Sequence, residues 1–244
     1  MTTVAGPRAG IEVRCLNVGR TYSVDGEDVH ALTDVSIRIA GGESVSLFGP
    51  SGSGKSTLTA LLAGLRRPSS GQIWVGEEEL SGMSERELLR LRGREIGIVL
   101  QNPSRTLLPY GTAEDNIAFA RRSTRRSERG RLEDSHTLLR QLDLTELAGQ
   151  RVASLSGGEQ QRLSIAVAMS RGPGLLLADE PTSQLDSANR DRAVQVFGRI
   201  ATEFGTTIVT VTHDPVVADA THRRITLSEG RVVDDGLSWH AGRR

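Results

Sequence analysis

Nine residues, Gly49-Pro50-Ser51-Gly52-Ser53-Gly54-Lys55-Ser56-Thr57, constrain this chain more than any other stretch, because they contain the full pattern G-x-x-x-x-G-K-[ST]. Before them runs Val45-Ser46-Leu47-Phe48, of strand length. After them Leu58, Leu61, Leu62 and Leu65 recur at i, i+3, i+4 and i+7, which predicts an amphipathic helix stopping around Gly64 to Pro68. Strand, glycine loop and helix in that order form a phosphate cradle. The glycines let successive backbone N–H groups turn inward, and the helix aims its positive N-terminus at the same point. Lys55 can then reach the β- and γ-phosphates of a nucleoside triphosphate, and Ser56 can offer an oxygen to Mg²⁺.

The remaining pattern supplies a sheet for the loop to sit on. Ile11, Val13 and Cys15 alternate with Glu12 and Arg14, and Val35, Ile37 and Ile39 with Ser36 and Arg38, a period of two expected of half-buried antiparallel strands. Ile73 to Val75 and Ile96 to Leu100 are further strands, separated by a helix around Glu85 to Arg92. From Asn102 to about Leu155 the pattern turns helical and polar. Leu175 to Ala178 and Thr207 to Val211 are apolar or β-branched runs of the kind buried on both faces of a parallel sheet, and Ile225 to Val233 reads as a hairpin around Ser228-Glu229-Gly230. Strands alternating with helices predict an α/β core. The strand ending in Asp179-Glu180 places two carboxylates at the carboxyl edge of that sheet, Asp179 to hold Mg²⁺ through water and Glu180 to act as general base on an attacking water.

Composition removes several function classes. The chain of 244 residues carries 30 basic and 30 acidic side chains, and zero net charge argues against a protein whose main work is gripping nucleic acid. The lone Cys15 forms no internal disulfide framework and no metal cluster, which points to a reducing compartment and a buried strand residue. Met1 to Gly10 has neither a basic nor an apolar region of the kind that opens a signal peptide, and no apolar run approaches the roughly 20 residues of a membrane-spanning helix. The run Arg121, Arg122, Arg125, Arg126, Arg129 and Arg131 reads as a solvated helix or loop. His30, His136, His222 and His240 show no ligand spacing.

Glycine loops of this kind serve several enzyme classes, and Leu155-Ser156-Gly157-Gly158-Glu159-Gln160-Gln161-Arg162 narrows the choice. By itself this stretch is a helix start, with Ser156 as N-cap and Glu159 completing a capping box. It also resembles the signature motif of ABC-type ATPases, and the resemblance spans about Ile11 to Val233. It implies a P-loop NTPase fold in one ATP-binding domain over 1–244: a RecA-like parallel core with an N-terminal antiparallel β subdomain (11–100 and 171–235) and an inserted helical signature subdomain (102–170). It further implies that Tyr22 stacks on adenine, that Gln101 touches Mg²⁺ and the attacking water, that Ser183-Gln184-Leu185-Asp186 is the D-loop, and that His213 contacts the γ-phosphate. ATP and Mg²⁺ are the implied ligands. In this family the signature of one subunit, here Ser156, Gly157 and Gly158, closes over ATP held by the glycine loop of another. The implied partners are therefore a second ATPase subunit, most simply a copy of this chain, and separate transmembrane permease subunits, with the chain peripheral on the cytoplasmic face of the membrane.

Two branches of the family compete for the substrate. Val29 to Ser36, Leu177 to Thr182, Thr212 to Pro215 and Glu229 to Val233 resemble the lipoprotein-release and macrolide-export branch. By contrast, Gln101-Asn102-Pro103-Ser104-Arg105-Thr106-Leu107-Leu108-Pro109 is spaced more like peptide-importer ATPases. An export machine is the expectation and a peptide or solute importer the alternative. A soluble ABC ATPase acting on nucleic acid or ribosomes, and a small-molecule kinase, are alternatives of other classes.

Overall fold

A computed structural model describes residues 10–24, 26–122 and 134–236. The alternation near the start becomes a long antiparallel pair, β1 (Val13–Val24) and β2 (Glu27–Ile39). With β4 (Ser70–Val75) and the short β5 (Glu78–Glu79) it makes a sheet ordered β2-β1-β4-β5. A second sheet contains β3 (Ser44–Phe48), β6 (Ile96–Val99), β7 (Leu175–Asp179), β8 (Thr207–Thr212) and β9 (Arg223–Ser228), all pairing in parallel. Antiparallel β10 (Arg231–Asp234) closes one edge, giving the order β10-β9-β3-β8-β7-β6.

The period of two decides which core each side chain enters. On β7, Leu175 and Leu177 pack into a core shared with β1, β2, β4 and the helices α1 (Lys55–Leu62) and α2 (Glu85–Glu95). Leu176 and Ala178 point to the other face, into a second core under α3 (Ala113–Arg121), α4 (Ser135–Gln141), α5 (Gly157–Met169) and α6 (Ser187–Phe204). Each buried leucine or valine contributes about 1.5–3 kcal/mol of transfer free energy. A shift of one residue in β7 would exchange the two sets, so both cores together fix its register.

Three expectations change. Helix α1 ends at Leu62, short of Leu65, which is 55% exposed while Leu58, Leu61 and Leu62 are buried. Gly64 takes φ +62°, the Gly64 amide donates to the Leu61 carbonyl (2.9 Å) and the Leu65 amide to that of Ala60 (2.9 Å). That is a Schellman stop, which a glycine makes easy and which turns Leu65 out of the stripe. The region from Asn102 to Leu155 is less helical than its pattern, because single 3₁₀ turns at Pro103–Arg105, Thr145–Leu147 and Val152–Ser154 take up much of it among the described residues. Finally, Arg121 is no part of a solvated face: its guanidinium donates to the Ser170 carbonyl and to Ser135 Oγ, both at 3.0 Å, tying the ends of α3, α4 and α5. Arg125, Arg126, Arg129 and Arg131 lie outside the described residues, as do Trp239 and His240. Cys15 is buried as expected, and burial pushes its thiol up to about 12, so it is inert at neutral pH. Among the described residues no helix is long and apolar enough to cross a membrane.

Candidate active site

The glycine loop links the C-terminal end of β3 to α1, and backbone geometry there demands glycine. Gly49, Gly52 and Gly54 have φ of +149°, +79° and +100°. A Cβ on Gly49 would sit 2.2 Å from the Leu227 carbonyl oxygen, and one on Gly54 would lie 2.6 Å from that of Ala31. Gly52 has nothing near, so its side of the loop faces open space. Helix α1 has no side-chain cap and no acid in its first turn, whereas α2, α3 and α5 each carry a capping box and an acidic first turn. The free N–H groups and uncompensated dipole of α1 are therefore left for an anion. Lys55 is nearly buried, and its ammonium donates to the carbonyls of Gly49 and Pro50, both at 2.7 Å.

Two distant segments brace this loop, and neither is visible in its local sequence. Between Arg20 and Thr21 the β1–β2 register slips from Leu32 to His30, so Ala31 bulges out against Gly54. The β9–β10 turn has positive φ at both Glu229 (+47°) and Gly230 (+72°), and the Gly230 amide donates to the Ser53 carbonyl at 3.2 Å.

An open cleft of about 560 Å³ lies over the loop, lined by Ser51, Gly52, Gly54, Lys55, Ser56 and Thr57 and, from across it, by Ala31, Glu180 and His213. Glu180 adopts φ +46°, a left-handed conformation costly for a residue with a Cβ. It is held there because its N–H donates to the Val211 carbonyl (3.0 Å), while its own carbonyl accepts from the N–H (3.3 Å) and hydroxyl (3.1 Å) of Ser183. Its carboxylate Oε1 is 2.8 Å from Nδ1 of His213. His213 sits between Thr212, whose hydroxyl accepts from the Asp214 N–H (3.0 Å), and Asp214, which caps the helix α7 (Pro215–Asp219) and pairs with Arg190 (3.4 Å). Asp179 ends β7 with its Oδ1 buried and unpartnered. Burial raises its pKa, the Glu180 charge raises it further, and Lys55 opposes both. A buried carboxylate oxygen lacking a donor, close enough to Lys55 to feel its charge, is an arrangement that a hard cation satisfies.

The other predicted residues lie outside this cleft. Gln101 is exposed just beyond β6, and the residues after it fold into the Pro103–Arg105 turn, capped by Asn102 Oδ1 accepting from the Ser104 N–H at 3.0 Å. Tyr22 pairs with Val29 across β1–β2 and carries the Arg20 guanidinium 4.5 Å from its ring centre. Ser156 caps α5, and its N–H and hydroxyl both donate to Glu159 Oε2 at 2.7 Å, which holds that carboxyl below its usual range. The positive start of α5 is therefore already answered by its own Glu159. Gly157 has open space, whereas Gly158 packs on Asn189, whose N–H and amide donate to Asp186 at 2.8 and 3.0 Å. None of Ser156, Gly157, Gly158 or Asp186 lines the cleft of the same chain.

Residues 32–183 match the profile of the ABC transporter family. The chain belongs to that family. Over 224 residues it is 42% identical to the macrolide export ATP-binding/permease protein MacB of Burkholderia thailandensis, covering 92% of this chain and 34% of MacB. Over 207 residues it is 40% identical to the lipoprotein-releasing system ATP-binding protein LolD 1 of Chlorobium chlorochromatii, covering 84% of this chain and 82% of that protein. The chain thus spans about a third of the length of the macrolide-export relative and most of the lipoprotein-releasing one. Its fold matches the dimeric structure of a post-hydrolysis ATP-binding cassette bound to ADP and Pi, at a TM-score of 0.80 and 34% identity over 91% of this chain and 97% of that one. As an ABC cassette of the LolD and MacB type, the chain is an ATPase, and the export branch read from Val29 to Ser36 and Thr212 to Pro215 agrees with these relatives.

Proposed function

We propose that this cassette hydrolyses ATP at the Lys55 cleft to drive separate membrane permease subunits of a lipoprotein-release or macrolide-export type of machine, from the cytoplasmic face of the membrane. The observation that carries the chemistry is the Glu180–His213 pair at 2.8 Å, facing an uncapped helix start across the cleft. Lys55 leaves the loop carbonyls for the β- and γ-phosphates, Glu180 takes the proton of the attacking water, and His213 holds Glu180 and the γ-phosphate in line. Asp179 and Ser56 would hold Mg²⁺, which supplies charge neutralisation at the phosphates when bound. Gln101 would join them, and Tyr22 would stack on the adenine. Because the signature residues do not line their own chain's cleft, a second copy is the natural source of Ser156 and Gly158 over each ATP.

Coupling to a membrane partner is supported by the surface after Gln101, where Leu108 and Phe119 stay exposed. Tagged chain extracted in mild detergent is expected to retain a multi-span protein. Recovery with ribosomes or nucleic acid instead would sink the transporter reading in favour of a soluble ATPase.

Asp179 yields a prediction of its own. A folded-state pKa above the unfolded value means the folded chain binds that proton more tightly. Its contribution is therefore most favourable at low pH and is lost as pH rises through the raised pKa. Asp179→Asn cannot ionise and should raise the melting temperature of the nucleotide-free protein at neutral pH. In the wild type, Mg-ATP at about 100 times its Kd adds about 2.7 kcal/mol, or roughly 5–10 °C for a domain of this size. The Asn variant should lose most of the Mg²⁺-dependent part of that gain. Equal Mg²⁺-dependent gains in thermal melts of the two proteins would remove Asp179 as a metal ligand.

A further inference from the structure

Tyr22 stands near the far end of the β1–β2 ribbon, opposite Val29, and Ser23 and Glu27 to His30 around it are exposed. A ring in such a place has little packing to fix its rotamer, so a base that stacks on it must order the ring as well as itself. One neighbour supplies that order. Arg20 lies two residues earlier on β1, on the same face of the strand, with its guanidinium 4.5 Å from the centre of the Tyr22 ring. Its Nη1 donates to the Arg67 carbonyl at 3.0 Å, its Nε is buried without a hydrogen-bond partner, and it forms no ion pair among the described residues. A carboxylate partner would neutralise the cation and draw it from the ring. A single carbonyl anchors it and leaves its charge to the ring face.

The anchor matters as much as the charge. Arg67 follows α1, the helix whose first residue is Lys55. The same stretch is joined to β1 at two more points, the Ser69 N–H donating to the Gly19 carbonyl (2.8 Å) and the Thr21 N–H to Ser69 Oγ (3.1 Å). Across the ribbon, between the partners of Arg20 and Thr21, Ala31 lines the nucleotide cleft and lies against Gly54. Tyr22 is thus tied through Arg20 to the segment that carries the phosphate cradle. We infer that Arg20 is a positioning residue for the nucleobase: its guanidinium covers one face of Tyr22 and holds the ring so that the opposite face meets adenine at a set distance from the glycine loop. Order supplied in advance lowers the cost of binding the base. The inference rests on the proposed stacking of adenine on Tyr22 and adds the group that sets that platform.

The test is calorimetric binding of Mg-ADP to the full chain, which reads the base contact without turnover. Arg20→Gln can still donate to the Arg67 carbonyl but has no charge, and Arg20→Lys keeps the charge. Arg20→Gln should bind about two- to fivefold more weakly, and Arg20→Lys should recover most of that loss. Tyr22→Ala should weaken binding about fivefold or more, and adding Arg20→Gln to it should change nothing further. Nucleotide-free thermal melts confirm that each variant is folded. A residue that served only the fold would weaken binding equally with and without the Tyr22 ring, and that result would overturn the inference. Wild-type affinity in Arg20→Gln together with weak binding by Tyr22→Ala would also overturn it, leaving the stacking reading intact. Wild-type affinity in Tyr22→Ala would remove the stacking itself, and the inference would fall with it.

Discussion

Glu180→Gln is expected to slow ATP turnover by roughly 10²–10⁴-fold, the usual contribution of a positioned general base. Gln has the same shape and can keep the contact with His213, which lies at 2.8 Å in the native protein, but it cannot accept the water's proton. The backbone at this position is held at φ +46° by the Val211 carbonyl and by Ser183, and none of those bonds involves the carboxylate. The variant should therefore fold normally and bind Mg-ATP. With binding intact and hydrolysis blocked, light scattering should find it as an ATP-loaded dimer. Brisk turnover by Glu180→Gln would remove Glu180 as the base, whatever the state of the dimer.

Ser156→Arg should abolish turnover to a similar degree, about 10²-fold or more, by losing a transition-state contact and placing bulk in the facing site. This effect differs from a stability effect in two measurable ways. Ser156 does not line the cleft of its own chain, so ATP binding by the single subunit should match the wild type. Ser156 also caps α5, with the Glu159 N–H donating to its hydroxyl at 3.4 Å, and losing a cap costs about 1 kcal/mol in its own right. Ser156→Thr keeps the cap and supplies the control. If Ser156→Arg regains full turnover once cooled below its lowered melting point, the residue serves α5 alone and the two-chain arrangement is wrong.

The strand and loop elements were legible because their causes are local. Alternation in Val13 and Cys15 and in Val35, Ile37 and Ile39 follows from one buried face, and the glycines at 49, 52 and 54 follow from backbone angles that other residues resist. Leu65 was misread because periodicity continues past the point where Gly64 reverses the chain, and a stop signal outweighs a stripe. Ala31 and Gly230 were not singled out as part of the site. Their role depends on a bulge and a turn packing against a loop far away in sequence, and the residues themselves carry no chemical mark. Arg121 was read as solvated since a run of arginines usually is, whereas its two acceptors, Ser135 and the Ser170 carbonyl, come from other helices.

By itself the sequence determined the family, the α/β class and the identity of the chemical groups, because a glycine loop, a strand ending in Asp179-Glu180 and a signature beginning at Ser156 each encode their geometry within a few residues. Only the tertiary structure decided which of them meet. It brings Glu180 and His213 to the Lys55 cleft through the parallel pairing of β7 with β8 and of β8 with β3. It also keeps Ser156 and Gly158 away from that cleft, on a helix packed over the opposite face of the same sheet. Which face a strand residue enters depends on register between segments distant in sequence, such as Ser44 opposite Ile208 and Leu175 opposite Thr207, and no local pattern carries that information.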